Sequence, residues 1–302
     1  MKKLTLLLLA LLYVTLTYAY TERDLLQKQA DINRLKEILV LDRQWVTYPD
    51  YNDRAGWDRF LGTFKDEYIR RGEKRLNYQW QVVKATDYLA FERTGNRQIM
   101  EKPFGANNGA IADLLMAELA EGKGRFVDQL INGVFNACEM TSWALAAHII
   151  VQPSHRALPA YDYPVIDLTS GDLGGLLAWT YHFMRPSFDK VDPEISRRLR
   201  HELQTRILDP YMNNDSFWWM GRNYNGRMLN NWNPWCNSNA LMCFMLLEDN
   251  RDTLAKAVHL TMESVDKFLN YIKADGACEE GPSYWGHAAG KTLDYLELLS
   301  DI

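Results

Sequence analysis

Apolar residues recur three and four positions apart along nearly the whole chain, and this spacing limits the possible folds more than any other feature. The pattern runs through residues 24–40, 57–68, 76–88, 111–119, 126–150, 173–183, 195–207, 240–247, 254–272 and 288–299. A period near 3.6 gathers apolar side chains on one face of a helix, whereas a half-buried strand needs a period of two. The sequence therefore predicts an all-α fold.

Two kinds of connection separate the predicted helices. Short turns such as residues 122–124 contrast with long polar connections at 151–169 and 212–233, which are rich in aromatic and amide side chains. Long loops in compact domains are usually functional. No fixed-period repeat of the TPR or HEAT kind is present. We therefore expect antiparallel helix hairpins arranged as an incomplete (α/α) toroid, with a cleft across the face that carries the long loops.

The two ends of the chain also carry signals. Lys2 and Lys3 precede a short apolar run over residues 4–16, and residues 17–19 offer a small-x-small cleavage site. This pattern is typical of a secretory signal peptide, and the run is too short to span a bilayer comfortably. We expect residues 1–19 to be removed and residues 20–302 to form one exported domain, periplasmic or extracellular. The last residues stop inside an amphipathic pattern without a capping glycine, so we expect a C-terminally truncated domain.

Charge and cysteine content exclude some functions. The net charge is −5, and it becomes more negative once the two signal lysines are removed. Nucleic-acid binding by bulk electrostatics needs a basic footprint, so it is not expected, and an acidic polymer would have to be held by a local pocket. The four cysteines form no C-x-x-C and accompany no histidine pair at zinc spacing. Buried free thiols are therefore favoured, with no metal and no cofactor.

An amide and indole cluster fills residues 230–237. Asparagine donates two hydrogen bonds and never ionises, and tryptophan is suited to stacking on sugar faces. We therefore predict that Asn230, Trp232 and Trp235 bind a sugar. Just upstream, Arg222 and Arg227 are the nearest cations for an acidic sugar. The alternative is that the cluster forms only a turn and a helix cap.

A second polar segment, residues 275–287, contains the candidates for catalysis. Eliminative cleavage of a uronate polymer removes the proton on carbon 5, next to a carboxylate, while the bond from carbon 4 to oxygen breaks. A neutral donor aimed at the carboxylate stabilises the developing charge, and Asn231 suits that role. Tyr284 can take and return a proton, and His287, three residues later, can assist it. The alternative is ordinary packing at a helix start.

Other polar residues are expected along the same cleft. Residues 126–150 are predicted as one helix, and on it Glu139, Trp143 and His148 are placed near the sugar. Glu280, from the second polar segment, is assigned to substrate binding as well. The alternative for His148 is an interior histidine whose hydrogen bonds are all satisfied.

Five blocks of the sequence resemble the N-terminal domain of the heparinase II/III-like polysaccharide lyases. They are residues 122–126, residues 138–143 with His148, and residues 176–181, 231–232 and 275–284. The resemblance runs from about residue 50 to the end, and its last two blocks are the more specific ones. It implies an incomplete α/α toroid followed by a β-sandwich domain, which lies outside this chain, and an eliminative lyase reaction.

The resemblance also assigns roles to residues. It implies that Asn231 or Asn230 neutralises the uronate carboxylate and that Tyr284 is the catalytic tyrosine. Members of the family usually take a further histidine from the β-rich part. Trp232 stands where some relatives have histidine or glutamate, so the substrate of this chain is open among heparan-type, alginate-type and other acidic polysaccharides.

Two other functions remain as alternatives. A glycoside hydrolase would need two carboxyl groups about 5 to 9.5 Å apart. Asp275, Glu279 or Glu280 could supply one, and Glu139 or Asp172 the other. A non-catalytic glycan-binding protein would have the same richness in aromatic and amide side chains. A lyase is told apart by its unsaturated product, which absorbs in the near ultraviolet.

Overall fold

The computed structural model describes residues 22–223, 228–272, 276–278 and 280–302. This part of the chain consists of helices and their connections and contains no strand. The all-α prediction is therefore confirmed. The predicted signal peptide, residues 1–19, lies outside the described residues.

The first half of the fold is organised around one long helix, α5. In order, the helices are α1 (Ile32–Ile38), α2 (Arg54–Leu61), α3 (Lys65–Glu73), α4 (Ala85–Thr94), α5 (Gln98–Glu121) and α6 (Val127–Glu139). Helix α5 packs against α2, α3, α4 and α6. Its buried residues occur on every side, which is the pattern of a helix enclosed by others.

The second half is built around α10 in the same way. Its helices are α7 (Leu168–Val191), α8 (Pro193–Leu203), α9 (Asp209–Asn213), α10 (Trp232–Leu247), α11 (Arg251–Leu269) and α12 (Pro282–Asp301). Helix α10 packs against α7, α11 and α12, and α11 also packs against α1. The polar cluster at residues 230–237 therefore lies at the start of the central helix of this half.

The predicted helix over residues 126–150 is wrong beyond Glu139, where α6 ends. Two side chains take over carbonyl groups at the end of α6, one from just beyond the helix and one from far along the chain. The indole N–H of Trp143 donates to the carbonyl of Ala137 at 2.9 Å, and Arg206 donates to the carbonyl of Met140 at 2.8 Å. These bonds satisfy groups that a helix end leaves without partners. Only one further turn, Ile149–Val151, follows before α7.

Three other predicted helices in the first half also differ from the structure. The predicted helix at 24–40 is helical only in α1, and Asp24 before it has a φ of 47°. The predicted helix at 57–68 is divided at Gly62, whose φ of 51° is unfavourable for other residues. Residues 79–84 are not helical, so the helix predicted at 76–88 begins only at Ala85. Turn residues with positive φ explain the first two differences.

The turn between α5 and α6 is held by a buried carboxylate, Glu118. It accepts hydrogen bonds from the Tyr51 hydroxyl at 2.6 Å, the Gly124 N–H at 2.8 Å and the Phe126 N–H at 3.2 Å. Burial, together with the bond to Glu118, raises the pKa of Tyr51 to about 12. A buried charge that accepts several hydrogen bonds fixes the geometry around it.

The four cysteines are free thiols, and Cys138, Cys236 and Cys243 are buried. The prediction of buried free thiols is thus confirmed for these three cysteines. Cys278 is only partly buried. Burial raises the pKa of Cys138 and of Cys243 to about 12, so both stay protonated. Among the described residues, none of the helices is long and apolar enough to cross a membrane.

Replacing Glu118 with glutamine should destabilise the protein by about 2–3 kcal/mol. The amide puts a donor where a carboxylate oxygen now accepts from a backbone N–H, and the bond to the Phe126 N–H is buried. Denaturant unfolding measures the change. The matched control is Glu73→Gln, since Glu73 is exposed and pairs with Arg125 at 2.8 Å, and that change should cost less than about 1 kcal/mol. Equal losses in the two variants would contradict the assignment.

Candidate functional site

Two polar segments that are far apart in the sequence meet where α10 and α12 begin. The backbone N–H of Asn231 donates to the Glu280 carboxylate at 2.8 Å, across 49 residues. One turn further on, the rings of Trp235 and His287 stack with centroids 5.4 Å apart and an interplanar angle of 23°. Both segments were predicted separately as candidates for the site, and the structure brings them together.

The first turn of α12 presents its side chains outward. Gly281 precedes it with a φ of 74°, and Pro282 opens the helix, where its lack of an N–H is harmless. Tyr284 is 49% exposed, and His287 is exposed as well. The rings of Tyr284 and His287 lie 5.7 Å apart between centroids. A phenol and an imidazole thus share one open surface.

We define the amide–aromatic face as Asn230, Trp235, Tyr284, Trp285 and His287. Trp285 was missed by the sequence analysis. It is 56% exposed, and its indole N–H donates to the Gly276 carbonyl at 3.2 Å. An exposed tryptophan is uncommon, and one beside a candidate tyrosine could have been singled out from the sequence.

Trp235 is fixed on several sides. Its indole N–H donates to Asp172 at 2.7 Å, and Asn239 donates to the same carboxylate oxygen at 2.8 Å. His287 stacks on the ring, and the Lys291 ammonium lies 5.4 Å from the ring centroid. These contacts hold the Trp235 ring in place, and His287 stacks on it. Only part of the Trp235 surface is therefore left for a ligand.

Trp232, one turn earlier, faces a different set of rings. The edge of His148 meets it with centroids 4.7 Å apart, and Trp218 lies 5.4 Å away. Trp218 is largely exposed, while Trp232 and His148 are partly buried. The structure thus joins His148 to the amide and indole cluster, as the prediction of a shared site requires.

His148 is held by Asp167, the capping residue of α7. The distance from His148 Nδ1 to Asp167 Oδ2 is 2.7 Å, and Arg97 lies 3.3 Å from the other ring nitrogen. Because arginine can only donate, Nε2 accepts and Nδ1 carries the proton toward Asp167. Asp167 is completely buried and also accepts from the backbone of Leu145 and Ser170. Asp167 was not among the predicted site residues.

Asn231, which was predicted to face the substrate carboxylate, is internal, as are two other asparagines of the cluster, and this corrects the interpretation of the cluster. Asn233 and Asn237 are fully buried, and Asn231 is only 3% exposed. The Asn233 side chain donates to the carbonyls of Trp219 at 2.7 Å and Ser264 at 2.9 Å. Amides are stable in a core when backbone carbonyls satisfy them. Much of the cluster therefore supports the start of α10 from inside.

Asn230 is the amide of the cluster that is partly exposed. Its side-chain oxygen accepts from the backbone N–H of Trp232 at 3.1 Å. This bond fixes the amide by its acceptor end, and the Nδ2 group supplies its two donor hydrogens. Of the two neighbours considered for carboxylate neutralisation, Asn230 has the accessible side chain, and Asn231 contributes mainly its backbone N–H.

Two predicted substrate-binding residues, Arg222 and Glu280, have partners within the protein. Arg222 pairs with Asp215 at 2.8 Å and donates to the Tyr211 carbonyl at 3.0 Å. Glu280 holds the backbone of Asn231, so its carboxylate positions the site. Arg227 lies outside the described residues, as do Asp275 and Glu279.

Glu139 and Trp143 are not placed with His148, because the single helix expected to carry all three does not exist. Glu139, at the end of α6, is exposed and pairs with Arg198 at 3.2 Å. Trp143 is buried, with the Arg206 guanidinium 5.1 Å from its ring centroid. A buried indole that caps a helix offers no face to a sugar.

Over the described ranges, the chain contains no cluster of three or more His, Cys, Asp or Glu residues that could hold a metal ion. No family model matches the sequence, and no curated protein matches it either.

Replacing Glu280 with alanine should loosen the junction of α10 and α12. The charged acceptor of the Asn231 N–H is lost, and such bonds contribute about 1.5–3 kcal/mol. Hydrogen exchange at Asn231 and in the first turn of α12 should accelerate about tenfold or more. Glu280→Gln is the matched control: it keeps an acceptor oxygen but loses the charge, so its exchange should lie between those of the wild type and Glu280→Ala. Unchanged exchange in Glu280→Ala would show that the contact does not hold the junction.

Proposed function

We propose that this protein is an exported polysaccharide lyase that cleaves a uronic-acid-containing glycan by β-elimination, on an α/α toroid, as its sequence resemblance implies. The observation that carries the proposal is the contact between two distant segments: the N–H of Asn231, next to the partly exposed Asn230, donates to Glu280, four residues before Tyr284. The exposed Tyr284 ring lies 5.7 Å from the ring of His287. These are the groups that proton abstraction next to a carboxylate requires.

The proposed reaction assigns one step to each group. Tyr284, as the phenolate, takes the proton from carbon 5 of the uronate. The electron pair left behind forms the double bond between carbons 4 and 5, and the bond from carbon 4 to the glycosidic oxygen breaks. The phenol then returns its proton to the leaving oxygen. Atoms and charge balance without a metal or a redox partner.

Asn230 has the task of drawing charge from the uronate carboxylate. Its side chain is anchored through Oδ1 to the backbone of Trp232, so donation from Nδ2 needs no rearrangement of the loop. Pre-arranged donors of this kind stabilise an oxyanion better than mobile ones. Asn231, at 3% exposure, takes the supporting role through its bond to Glu280.

His287 is proposed to assist Tyr284. It stands between Tyr284 and Trp235, stacked on the indole and one helical turn from the phenol. A cationic imidazole at this place favours the phenolate by proximity of opposite charge. The stacking on Trp235 holds the ring in position while the substrate enters.

The hydrolase alternative has less support from the same contacts. Its described candidate carboxylates, Glu280 and Asp172, hold the Asn231 backbone and the Trp235 and Asn239 side chains respectively. Glu139 pairs with Arg198 at the end of α6. A general acid and base must be available to the glycosidic bond and its water.

Replacing Tyr284 with phenylalanine should lower the rate of double-bond formation at least about a hundredfold, because the base and acid are lost while the ring remains. The measurement is near-ultraviolet absorbance during incubation with a panel of uronate-containing polysaccharides. The matched control is Tyr161→Phe, a fully exposed tyrosine in the loop before α7, which should leave the rate unchanged. Cleavage without new absorbance, or full activity in Tyr284→Phe, would contradict the lyase assignment.

Replacing Asn230 with aspartate should reduce kcat/KM about a hundredfold or more, since an isosteric acceptor with negative charge would then face the carboxylate. The fall should be accompanied by little change in melting temperature, because the Oδ1 bond to the Trp232 N–H is retained. The control is Asn96→Asp, an exposed asparagine whose side-chain oxygen accepts from the Gln98 N–H. If Asn230→Asp kept its activity, another group would have to neutralise the substrate.

A further inference from the structure

A cavity of about 410 Å³ adjoins the amide–aromatic face. The cavity is lined in part by Asp172 and Lys291. The Asp172 carboxylate accepts from the Trp235 indole N–H, and the Lys291 ammonium lies over the Trp235 ring. The cavity and the face are therefore neighbouring parts of one surface. Its volume lies in the range of sites that take small molecules, which is about 300–1,000 Å³.

One wall of the cavity is aromatic. Trp45, Tyr48 and Trp179 line it, and the edges of Trp45 and Tyr48 meet Trp179 with centroids 5.8 and 5.3 Å apart. Trp45 is 8% exposed, and within the described residues its indole N–H has no hydrogen-bond partner. That N–H is itself enclosed, so Trp45 contributes its ring to the cavity wall. Aromatic rings suit the apolar face of a sugar.

The remaining lining is strongly acidic. Asp172, Asp294, Glu297 and Asp301 contribute carboxylates, and among the described residues that line the cavity Lys291 is the one cation. Lys291 pairs with Asp294 at 3.2 Å, while Glu297 and Asp301 are exposed at the end of α12. Carboxylates accept hydrogen bonds from hydroxyl and ammonium groups, and they repel carboxylate and sulfate groups.

We propose that this cavity is a sugar subsite that takes a residue without an anionic group, next to the uronate held at the amide–aromatic face. The inference rests on the proposed function insofar as the ligand is a glycan. It restricts the substrate to a heteropolymer in which the uronate alternates with a neutral or amine-bearing sugar. A polymer made only of uronate would put a carboxylate against Glu297 and Asp301.

The Trp45 indole N–H provides a local reporter for binding. In nitrogen-15 labelled protein its signal is assigned with a Trp45→Phe variant and followed while methyl glycosides are added. A neutral hexoside and an amino hexoside should both shift the signal, and a hexuronoside should require at least about tenfold higher concentration. A hexuronoside that shifts it as readily as the neutral sugar would overturn the proposal, as would the lack of any shift with all three glycosides.

Charge reversal tests the source of the selectivity. The double variant Glu297→Lys and Asp301→Lys alters two exposed residues, so the fold should persist, and the preference should turn toward the hexuronoside by about tenfold or more. The control is Asp162→Lys, an exposed loop position that lines no part of this cavity, and it should keep the wild-type preference. An unchanged preference in the double variant would contradict the assignment.

The two proposals fail separately. If the protein binds the neutral glycoside at Trp45 but forms no double bond on any polymer, the subsite stands and the lyase chemistry is wrong. If it cleaves a uronate homopolymer as fast as a heteropolymer, with Tyr284 required, the chemistry stands and the subsite is wrong.

Discussion

The contact between Glu280 and the backbone of Asn231 is the constraint on which the candidate site depends. Together with the stacking of His287 on Trp235, it joins the start of α10 to the start of α12. Without it, the packing of α10 against α12 would remain, but the turn that contains Asn230 would lose its hydrogen bond to the segment before Tyr284. A charged acceptor for a backbone N–H is stronger than a neutral one, and it fixes both direction and distance.

A second layer of contacts lies beneath that junction. Asn233 and Asn237 donate to backbone carbonyls and to the Ser264 hydroxyl, and the Tyr211 hydroxyl donates to Asn237. Buried polar groups that satisfy one another make a core rigid and unique. The Asn233 side-chain oxygen has no partner within the described residues, so the network is not complete. The interior amides hold α10 in place, and the outer residues of the same cluster form the surface.

The cavity lies beside the amide–aromatic face, and the two differ in charge. At the face, an amide, a phenol and an imidazole suit an anionic sugar, whereas Glu297 and Asp301 in the cavity disfavour one. A polymer with alternating charge would match both parts at once. Specificity of this kind arises from repulsion of the wrong residue as much as from attraction of the right one.

The helical periodicity and the residue types of the sequence were sufficient to predict the all-α class, the buried cysteines and the two polar segments around Asn230 and Tyr284. These features follow from local spacing and residue type. Only the tertiary structure decided which of those side chains meet. At the end of α6 the distant Arg206, together with the nearby Trp143, satisfies the last carbonyls, and Asn231 and Asn233 are turned inward. Sequence spacing cannot predict such outcomes, because the partners that satisfy a buried amide or a helix end are supplied by segments far along the chain.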